Sequence, residues 1–286
     1  MGSRRICFCV GFEQVMVVSP LSDISLLSCH WFLIARLLQD VTVNGEKNVM
    51  LKKKAGLLTE IALMVFCAFA VRSTLAATFV VPSGSMEPSL MIGDRIVTMN
   101  FAYGLSSAQL PFATAPGEHD ALSRRLFGRL PARGDVVVFR APANHREHWV
   151  KRVIALPGDR IALEHGRVWL NGRELPWRDR GVGTEILGDG RRAEVERYDE
   201  ILPNGVTHVL FKRLDDGPLD NLSPFTVPAG HVFVMGDNRD NSADSRVPVA
   251  QGGVGLLPVW NLEGHVMARL MGWHDGGPDF GRFGRP

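Results

Sequence analysis

One short stretch of the sequence, VVPSGSMEPSL at Val80–Leu90, holds a serine in a setting suited to nucleophilic chemistry. Gly84 precedes Ser85 and permits backbone angles and a close approach of substrate that a side chain would block. Pro82 and Pro88 stiffen the flanks, so the hydroxyl is held in position. A serine hydroxyl attacks only when a neighbouring base accepts its proton. Ser85 is therefore a candidate nucleophile that needs a base from elsewhere in the chain.

The base predicted for Ser85 is a lysine. The Gly-x-Ser-x-Gly elbow is absent, and no histidine lies near a matching motif. The segment HWVKRVIALPGDRI places Lys151 in an apolar strand, where alternation puts it on the face of Trp149 and Val153 and puts Arg152 on the other. If that face is buried, loss of hydration lowers the pKa of the amine and provides a neutral base. If the face is exposed, Lys151 is an ordinary surface lysine, and this segment alone is compatible with both interpretations.

A third polar segment, MGDNRDNSADSR at Met235–Arg246, follows a strand that should be buried. Its density of polar and charged groups is too high for ordinary core. It is either a solvated turn or a hydrogen-bonded scaffold that orients the base.

Several other chemistries are excluded or disfavoured. The four cysteines end at Cys67, which rules out a cysteine nucleophile or a zinc–thiolate site in the rest of the chain. His145 and His148 are three residues apart in a loop-like segment, and we expect both to be solvated rather than bound to a metal. The net charge of +2 over 286 residues implies no general affinity for nucleic acid.

The apolar segment before the serine stretch predicts a membrane anchor over residues 51–81. Its centre, IALMVFCAFAV, is unbroken from Ile61 to Val71, and Lys52–Lys54 precede it. Because positive charges stay on the cytoplasmic side, everything after the anchor should lie across the membrane. The alternative is a cleaved signal peptide, with a basic start and the small residues STLAA behind the apolar region.

Residues 1–50 show no clear period. Their apolar run, ISLLSCHWFLIARLL at residues 24–38, is shorter than the roughly 20 residues that cross a bilayer. Three interpretations stay open for this segment: an extension from a misassigned start, with Met50 as the alternative first residue, a disordered or surface-bound cytoplasmic leader, and a poor first membrane span.

Beyond the anchor, the sequence predicts a mainly β, antiparallel domain over residues 82–275. Three Gly-Asp pairs open the β-branched runs GDRIVTM, GDVVVF and GDRIAL, and Gly-Asp is typical of turns. Asn171 and Gly172, in RVWLNGREL, are typical of a two-residue hairpin.

Three segments depart from this pattern. The stretch near 103–131 is rich in Ser, Pro and Arg, and we predict a solvated loop. The stretch near 178–200 carries many charges of both signs, and we predict a solvated hairpin. Residues 276–286 are predicted to be a flexible tail.

The order of the motifs is specific. The blocks PSGSMEPSL, GDRIVTMNFAYG, RGDVVVFRAP, WVKRVIALPGDRI and GDNRDNSADSR resemble those of the type I signal peptidases, the membrane-bound leader peptidases of bacteria. The blocks are scattered from about Pro82 to Arg246, and GGVGLLPVWNLEGHV resembles the closing segment of the family. Residues 1–50 match nothing in that pattern, and the two charged excursions fall where the family varies in length.

The resemblance implies a role for each matching residue. Ser85 resembles the nucleophile and Lys151 the general base. Ser83 resembles the hydroxyl that, with the backbone N–H of Ser85, stabilises the oxyanion. Ser242 matches the serine that hydrogen-bonds to the lysine amine and orients it. The family's supporting charged positions are matched by Asp237, Asp244, Arg246 and Arg152. Two positions near its substrate cleft are matched by Met86 and Leu90.

The resemblance also implies a function. It implies a serine endopeptidase, tethered by one N-terminal transmembrane helix, that removes signal peptides after Ala-x-Ala by acyl transfer. Its catalytic domain would lie on the outer side of the bacterial cytoplasmic membrane. The implied partners are signal peptides of secretory pre-proteins and the lipid bilayer. No nucleic acid, metal or cofactor is implied. We expect the protein to be a monomer.

Two rival functions find less support in the sequence. A self-cleaving repressor shares a Ser/Lys dyad on a related β-fold, but the DNA-binding helical domain and cleavable linker that it needs are not visible. A membrane-tethered β-domain that only binds partners would not need both Ser85 and Lys151.

Overall fold

The computed structural model describes residues 19–20, 56–65, 76–104, 125, 127–187, 191–274 and 277–286. Every pairing between the strands in these ranges is antiparallel, which confirms the predicted mainly β class. Within these ranges, residues 56–65 form an α-helix, and 3₁₀ turns lie at Gly84–Met86, Asn100–Tyr103, Val249–Gln251 and Val259–Asn261. The strands are β1 (Ser19–Pro20), β2 (Ala76–Val80), β3 (Arg95–Met99), β4 (Val136–Arg140), β5 (His148–Ala155), β6 (Arg160–Glu164), β7 (Arg167–Leu170), β8 (Arg173–Glu174), β9 (Trp177–Ile186), β10 (Arg192–Ile201), β11 (Thr207–Lys212), β12 (Leu222–Thr226), β13 (His231–Met235), β14 (Leu257–Pro258), β15 (Leu262–His274) and β16 (Gly277–Asp279).

The largest sheet has the order β1-β2-β3-β15-β4-β5-β13-β14, with β16 added to β15. Two smaller sheets have the orders β11-β10-β9 and β12-β6-β7-β8. Strand β4 reads VVVFR, and all five of its residues are buried. Such a continuous β-branched run is expected where both faces of a strand are covered by other parts of the protein.

Strand β13 lies between two hydrophobic cores. Val232 and Val234 belong to the main core, whereas Phe233 and Met235 belong to a second core over the sheet β12-β6-β7-β8. Alternation along the strand explains this division, since successive side chains point to opposite faces. Its neighbour β5 is covered in the same way, so that every residue from Trp149 to Ala155 is buried. A charged residue on β5 is therefore removed from water on either face.

The predicted hairpin at Asn171 and Gly172 is confirmed. These residues have φ angles of 54° and 79°, as a two-residue turn of the primed type requires. Strands β7 and β8 pair on either side of the turn, with Leu170 opposite Arg173.

The excursion near 103–131 is not solvated throughout. The guanidinium of Arg125 is buried and donates hydrogen bonds to the carbonyl oxygens of Val259 (2.6 Å) and Leu262 (2.8 Å). Tyr103, at the other end of the excursion, is also buried and donates to Asp135 at 2.8 Å. Its two ends therefore pack into the domain, because these side chains find partners there, and residues 105–124 and 126 lie outside the described residues.

The excursion near 178–200 forms the predicted hairpin, with β9 paired to β10. Its charged residues are not all solvated, since Glu185 and Glu200 are buried. The sequence signal for solvation failed here because both carboxylates find polar partners inside the protein.

The predicted anchor over residues 51–81 needs a correction at its end. Residues 76–80 form β2, which pairs with β3, and Phe79 and Val81 enter the main core. Hydropathy alone does not distinguish such a buried strand from the end of a membrane helix. Residues 51–55 and 66–75 lie outside the described residues. Among the described residues, no helix combines the length and the apolarity needed to cross a bilayer.

Residues 277–286, predicted as part of a flexible tail, lie against the sheet. Strand β16 pairs with β15, and the backbones of Gly284 and Arg269 exchange hydrogen bonds at 2.7 Å and 3.2 Å. Arg282 donates to the carbonyl oxygen of Pro88 at 2.8 Å. The composition of this segment suggested flexibility, but backbone pairing and this arginine fix it to the domain.

We predict that Glu200→Ala destabilises the protein strongly. Glu200 accepts hydrogen bonds from Arg239 (2.6 Å and 3.1 Å) and from Trp177 (2.9 Å), and both members of the ion pair are buried. Removing one member of a buried pair leaves an uncompensated charge, at a cost of about 3–5 kcal/mol. Urea unfolding of the variant measures this loss.

The matched control is Glu194→Ala, because Glu194 lies exposed on the same strand as Glu200. We expect this change to alter stability by no more than about 0.5 kcal/mol. Equal stability of the two variants would contradict a structural role for the Glu200 pair.

Candidate active site

Ser85 lies at the centre of the buried 3₁₀ turn Gly84–Met86. The backbone N–H of Glu87 donates to the carbonyl oxygen of Gly84 at 3.0 Å and closes the turn. A Cβ atom on Gly84 would lie 3.1 Å from Cδ of Glu87, so a larger residue would press on that carboxyl group. The turn thus holds the Ser85 hydroxyl in a fixed, crowded place, as the flanking prolines suggested.

Lys151 meets Ser85 directly. Its Nζ lies 2.8 Å from Oγ of Ser85 and donates a further hydrogen bond to the carbonyl oxygen of Val150 at 3.1 Å. The Lys151 side chain is 1% exposed, and Nζ lies 5.8 Å from the centre of the Trp149 ring. The structure therefore agrees with the interpretation in which the strand face that carries Lys151 is buried. A neutral Nζ at this distance can accept the Ser85 proton.

The surroundings of Lys151 favour its neutral form. Burial lowers the pKa of Lys151 to about 8, from 10.5 for a solvated lysine. The negative charges of Asp244 and Asp237 act in the opposite direction, and the positive charge of Arg246 lowers the pKa further. Burial outweighs the carboxylates here, so the amine loses its proton at a mildly alkaline pH.

Asp237 is occupied by Arg152. Two hydrogen bonds, of 2.8 Å and 2.7 Å, join the guanidinium to the carboxylate, and both residues are buried. Burial by itself would raise the pKa of Asp237, but the adjacent Arg152 charge and its hydrogen bonds keep the pKa below the usual value. Arg152 also donates to Oγ of Ser89 at 3.2 Å, which ties the pair to the segment after the nucleophile.

Asp244 is occupied by Arg246 in the same way. Nε and a terminal nitrogen of Arg246 donate to the carboxylate at 2.9 Å and 2.8 Å, and the backbone N–H of Gly236 donates at 2.9 Å. Burial opposes ionisation of Asp244, but Arg246 and these hydrogen bonds keep its pKa low. The polar segment is therefore a buried hydrogen-bonded scaffold rather than a solvated turn.

Gly236 forms the close contact between this scaffold and the nucleophile. A Cβ atom on Gly236 would lie 2.3 Å from Oγ of Ser242 and 2.4 Å from the carbonyl oxygen of Ser85. Real Cβ atoms do not tolerate such distances, so this position requires glycine. The Ser242 side chain and the Ser85 backbone consequently pack against the same side of Gly236.

The hydrogen bond expected from Ser242 to the Lys151 amine is not made. Oγ of Ser242 is buried without a hydrogen-bond partner in the described part of the chain. The amine is directed instead toward Ser85 and the carbonyl oxygen of Val150. Ser242 is thus brought to the site, but it does not orient Lys151 directly in this structure.

Ser83 lies two residues before the nucleophile and is 4% exposed. Its Oγ is buried and has no hydrogen-bond partner among the described residues. A buried unpaired hydroxyl costs free energy unless a ligand satisfies it. The Ser83 hydroxyl is therefore uncommitted and available to a ligand.

Met86 and Leu90, expected near a substrate cleft, are both 0% exposed and belong to the main core. Neither residue presents a surface to an open cleft in this structure.

Sequence reasoning missed Asn238. Its backbone N–H donates to the carbonyl oxygen of Ser85 at 3.2 Å, and its Nδ2 donates to that of Gly84 at 3.1 Å. These bonds fix the backbone on both sides of the nucleophile. Asn238 lies in the polar segment that the sequence singled out, but nothing in the spacing distinguishes it from the other polar residues there.

Two arginines were missed as well. Arg269 on β15 donates to the carbonyl oxygen of Ser89 at 2.6 Å, and Arg282 donates to that of Pro88. They brace the segment that follows the nucleophile from the C-terminal part of the chain. No local signal marks either residue, because the contact depends on the pairing of distant strands.

Among the described residues, no group of three or more His, Cys, Asp or Glu side chains could hold a metal ion. The two carboxylates of the polar scaffold, Asp237 and Asp244, are instead each paired with an arginine.

Known proteins match the chain over most of its length. The family model described as signal peptidase, peptidase S26, matches residues 54–272. Signal peptidase I of Pseudomonas aeruginosa is 35% identical over 233 residues, covering 77% of this chain and 75% of the relative. Signal peptidase I of Rickettsia prowazekii is 33% identical over 226 residues, covering 77% and 79%.

Among solved structures, the crystal structure of a signal peptidase I from Enterococcus faecalis matches with 24% identity and a TM-score of 0.27. The match covers 48% of this chain and 97% of that chain. The family match includes both Ser85 and Lys151 and spans well over half of the sequence. The chain therefore belongs to the signal peptidase family, peptidase S26, whose members are serine endopeptidases.

Proposed function

We propose that the chain removes N-terminal signal peptides from exported pre-proteins with Ser85 as nucleophile and Lys151 as general base. The observation that carries this proposal is the 2.8 Å distance between Nζ of a buried lysine and Oγ of a serine on a fixed turn. Membership of the signal peptidase family supports the substrate class.

The first half of the reaction forms an acyl-enzyme. Neutral Nζ of Lys151 accepts the Ser85 proton while Oγ attacks the carbonyl carbon at the end of the signal peptide. The carbonyl oxygen becomes negative, and the Ser83 hydroxyl and the backbone N–H of Ser85 donate hydrogen bonds to it. The C–N bond then breaks, and the Lys151 ammonium gives its proton to the leaving amine.

The second half of the reaction releases the signal peptide. A water molecule attacks the ester carbonyl, Lys151 accepts one of its protons, and the Ser85 oxygen leaves with that proton. The charges of the two arginine–carboxylate pairs stay fixed throughout, because each carboxylate is already bound to its arginine.

We further propose that cleavage follows small residues in the Ala-x-Ala pattern and occurs at the outer surface of a bacterial cytoplasmic membrane. The anchor proposed here is shorter than the sequence indicated and covers residues 51–75, because β2 begins at Ala76. A nucleophile that follows β2 directly lies close to the membrane surface, where the cleavage site of a membrane-inserted signal peptide emerges.

For the catalytic pair, we expect Ser85→Ala and Lys151→Met to abolish cleavage of an Ala-x-Ala pre-protein. Neither variant should lose the fold, because each replacement is uncharged and no larger than the residue it replaces. Lys151→Arg should be equally inactive, because a guanidinium stays protonated. Cleavage in detergent by the purified full chain is the measurement.

Ser223→Ala, on an exposed position of β12, is the matched control and should cleave at the wild-type rate. Appreciable turnover by Lys151→Met would assign the base to another residue.

The acidic limb of the pH profile should report Lys151. The base must be neutral to act, so kcat/KM should rise with pH through the lysine pKa of about 8. Without burial, the same rise would appear near 10.5. Initial rates on a signal-peptide substrate across this range measure the limb, and a midpoint at the solvated value would mean that water reaches Lys151 in the free enzyme.

The membrane arrangement can be tested with a reporter that is active only outside the cytoplasm. Fusion after Pro286 should give an active reporter, and fusion after Lys54 a silent one, because Lys52–Lys54 keep the start of the anchor cytoplasmic. The opposite pattern would invert the proposed orientation.

The same experiment bears on strand β1. Ser19–Pro20 can pair with β2 only if both lie on one side of the membrane, whereas a cytoplasmic leader separates them. A silent fusion after Lys54 together with an active fusion after Pro286 would place β1 and β2 on opposite sides of the membrane, which is incompatible with their pairing.

A further inference from the structure

Two carboxyl groups are buried behind the nucleophile turn and take no part in the chemistry of Ser85 and Lys151. Glu87, which follows the turn, is 0% exposed, and Glu185, near the end of β9, is 1% exposed. The Glu87 carboxyl packs on Gly84, where a Cβ atom would lie 3.1 Å from its Cδ and 3.2 Å from its Oε1. Any change in the charge of Glu87 is therefore felt beside the nucleophile.

Glu185 reaches the same turn through Asn238. Oε1 of Glu185 accepts hydrogen bonds from Nδ2 of Asn238 at 2.8 Å and from Nδ2 of Asn241 at 2.9 Å. Asn238 in turn holds the carbonyl oxygens of Gly84 and Ser85. One buried carboxylate of the β9–β10 hairpin thus orients the amide that fixes the nucleophile backbone.

The remaining oxygens of these two groups are unsatisfied. Both oxygens of Glu87 and Oε2 of Glu185 are buried without a hydrogen-bond partner of normal geometry in the described residues. Burial without a hydrogen-bond partner favours the neutral form of a carboxyl group, and the negative charge of Glu185 adds to this effect at Glu87. A proton on Glu87 relieves the cost of leaving an unpaired charge out of water.

The charges around Glu87 agree with this view. Burial raises the pKa of Glu87 to about 7, the backbone N–H of Ile186 offsets this only in part, and the charge of Glu185 raises the pKa further. The other facing charges are Arg282, which lowers the pKa, and Asp94, which raises it. Arg282 lies 3.6 Å from Asp94 and donates to the backbone of Pro88.

We infer that a protonated Glu87 and the Asn238-binding Glu185 act together as a positioning pair for Ser85, an inference that rests on the function proposed above. With the Glu87 proton bound, the turn keeps Oγ of Ser85 within reach of Lys151. When this proton leaves to solvent, an unsolvated negative charge lies beside Gly84. The turn then shifts, and turnover falls.

The test is the ratio of kcat of Glu87→Gln to kcat of wild type, measured against pH on an Ala-x-Ala peptide with the full chain in detergent. Glutamine keeps the shape and neutrality of the protonated acid. Because the Lys151 limb is common to both proteins, it cancels in the ratio. We expect a constant ratio well below a pH of about 7. Above that pH the ratio should rise, toward about tenfold for each pH unit.

Glu185→Gln tests the pairing. Removing its charge lowers the pKa of Glu87, so this variant should lose activity at a lower pH than wild type does. The double variant with Glu87→Gln should show no such loss. Glu194→Gln, exposed on β10, is the control and should leave the profile unchanged.

The outcomes separate this inference from the function on which it rests. A pH-independent Glu87→Gln ratio overturns the inference, and so does a transition that Glu185→Gln does not move. With increasing pH, the thermal unfolding midpoint of Glu87→Gln could rise above that of wild type while the kcat ratio stays constant. The pair would then serve only the stability of the fold, and the inference would be wrong. Activity in Ser85→Ala would instead overturn the proposed function itself.

Discussion

The site depends on one constraint, which is that the Lys151 amine must be buried deeply enough for its neutral form to be favoured. Lys151 lies on β5 opposite Val137 of β4 and contacts the nucleophile turn, and the two nearby carboxylates are each bound to an arginine. Because Asp237 and Asp244 are each paired with an arginine, they offset the desolvation of the amine only in part. The difference between pKa values of 10.5 and about 8 corresponds to about 3 kcal/mol.

This constraint has a consequence for stability. Because the lysine pKa is lower in the folded chain than in the unfolded chain, the unfolded chain binds more protons between a pH of about 8 and 10.5. Stability therefore rises with pH in that window, and the cost of burying Lys151 is fully present below it. The two hydrophobic cores on either side of β5 and β13 offset that cost, since both strands contribute side chains to each core. The packing of the two hydrophobic cores thus stabilises the strand on which the base must be buried.

Short-range sequence patterns predicted those parts of the structure that depend on a few neighbouring residues. The serine turn, the lysine in an apolar strand and the hairpin at Asn171 each depend on a few neighbouring residues. The dense polar segment was recognised, but its internal pairing was not. Asn238 and Gly84 are 154 residues apart in the chain, and such a contact follows only from the assembled strands.

The predictions that failed also have physical reasons. An apolar stretch can end a membrane helix or enter a sheet, so the boundary at Ala76 was missed. Met86 and Leu90 follow the family pattern near a cleft, but their apolar side chains enter the core. The charge density of the β9–β10 hairpin indicated solvation, although Glu185 is held by two amides beneath the nucleophile turn. In each case tertiary contacts outweighed the local signal.

A direct titration of the Lys151 side chain would test the account most sharply. Only two lysines, Lys151 and Lys212, follow Lys54 in the sequence, so NMR of ¹³Cε-labelled lysine gives few signals to assign, and Lys151→Met identifies the one of interest. The account predicts that this signal titrates at a pH of about 8 in the free full-length chain. A midpoint near 10.5 would contradict it, because Lys151 would then carry its proton at the pH where Ser85 must lose its own.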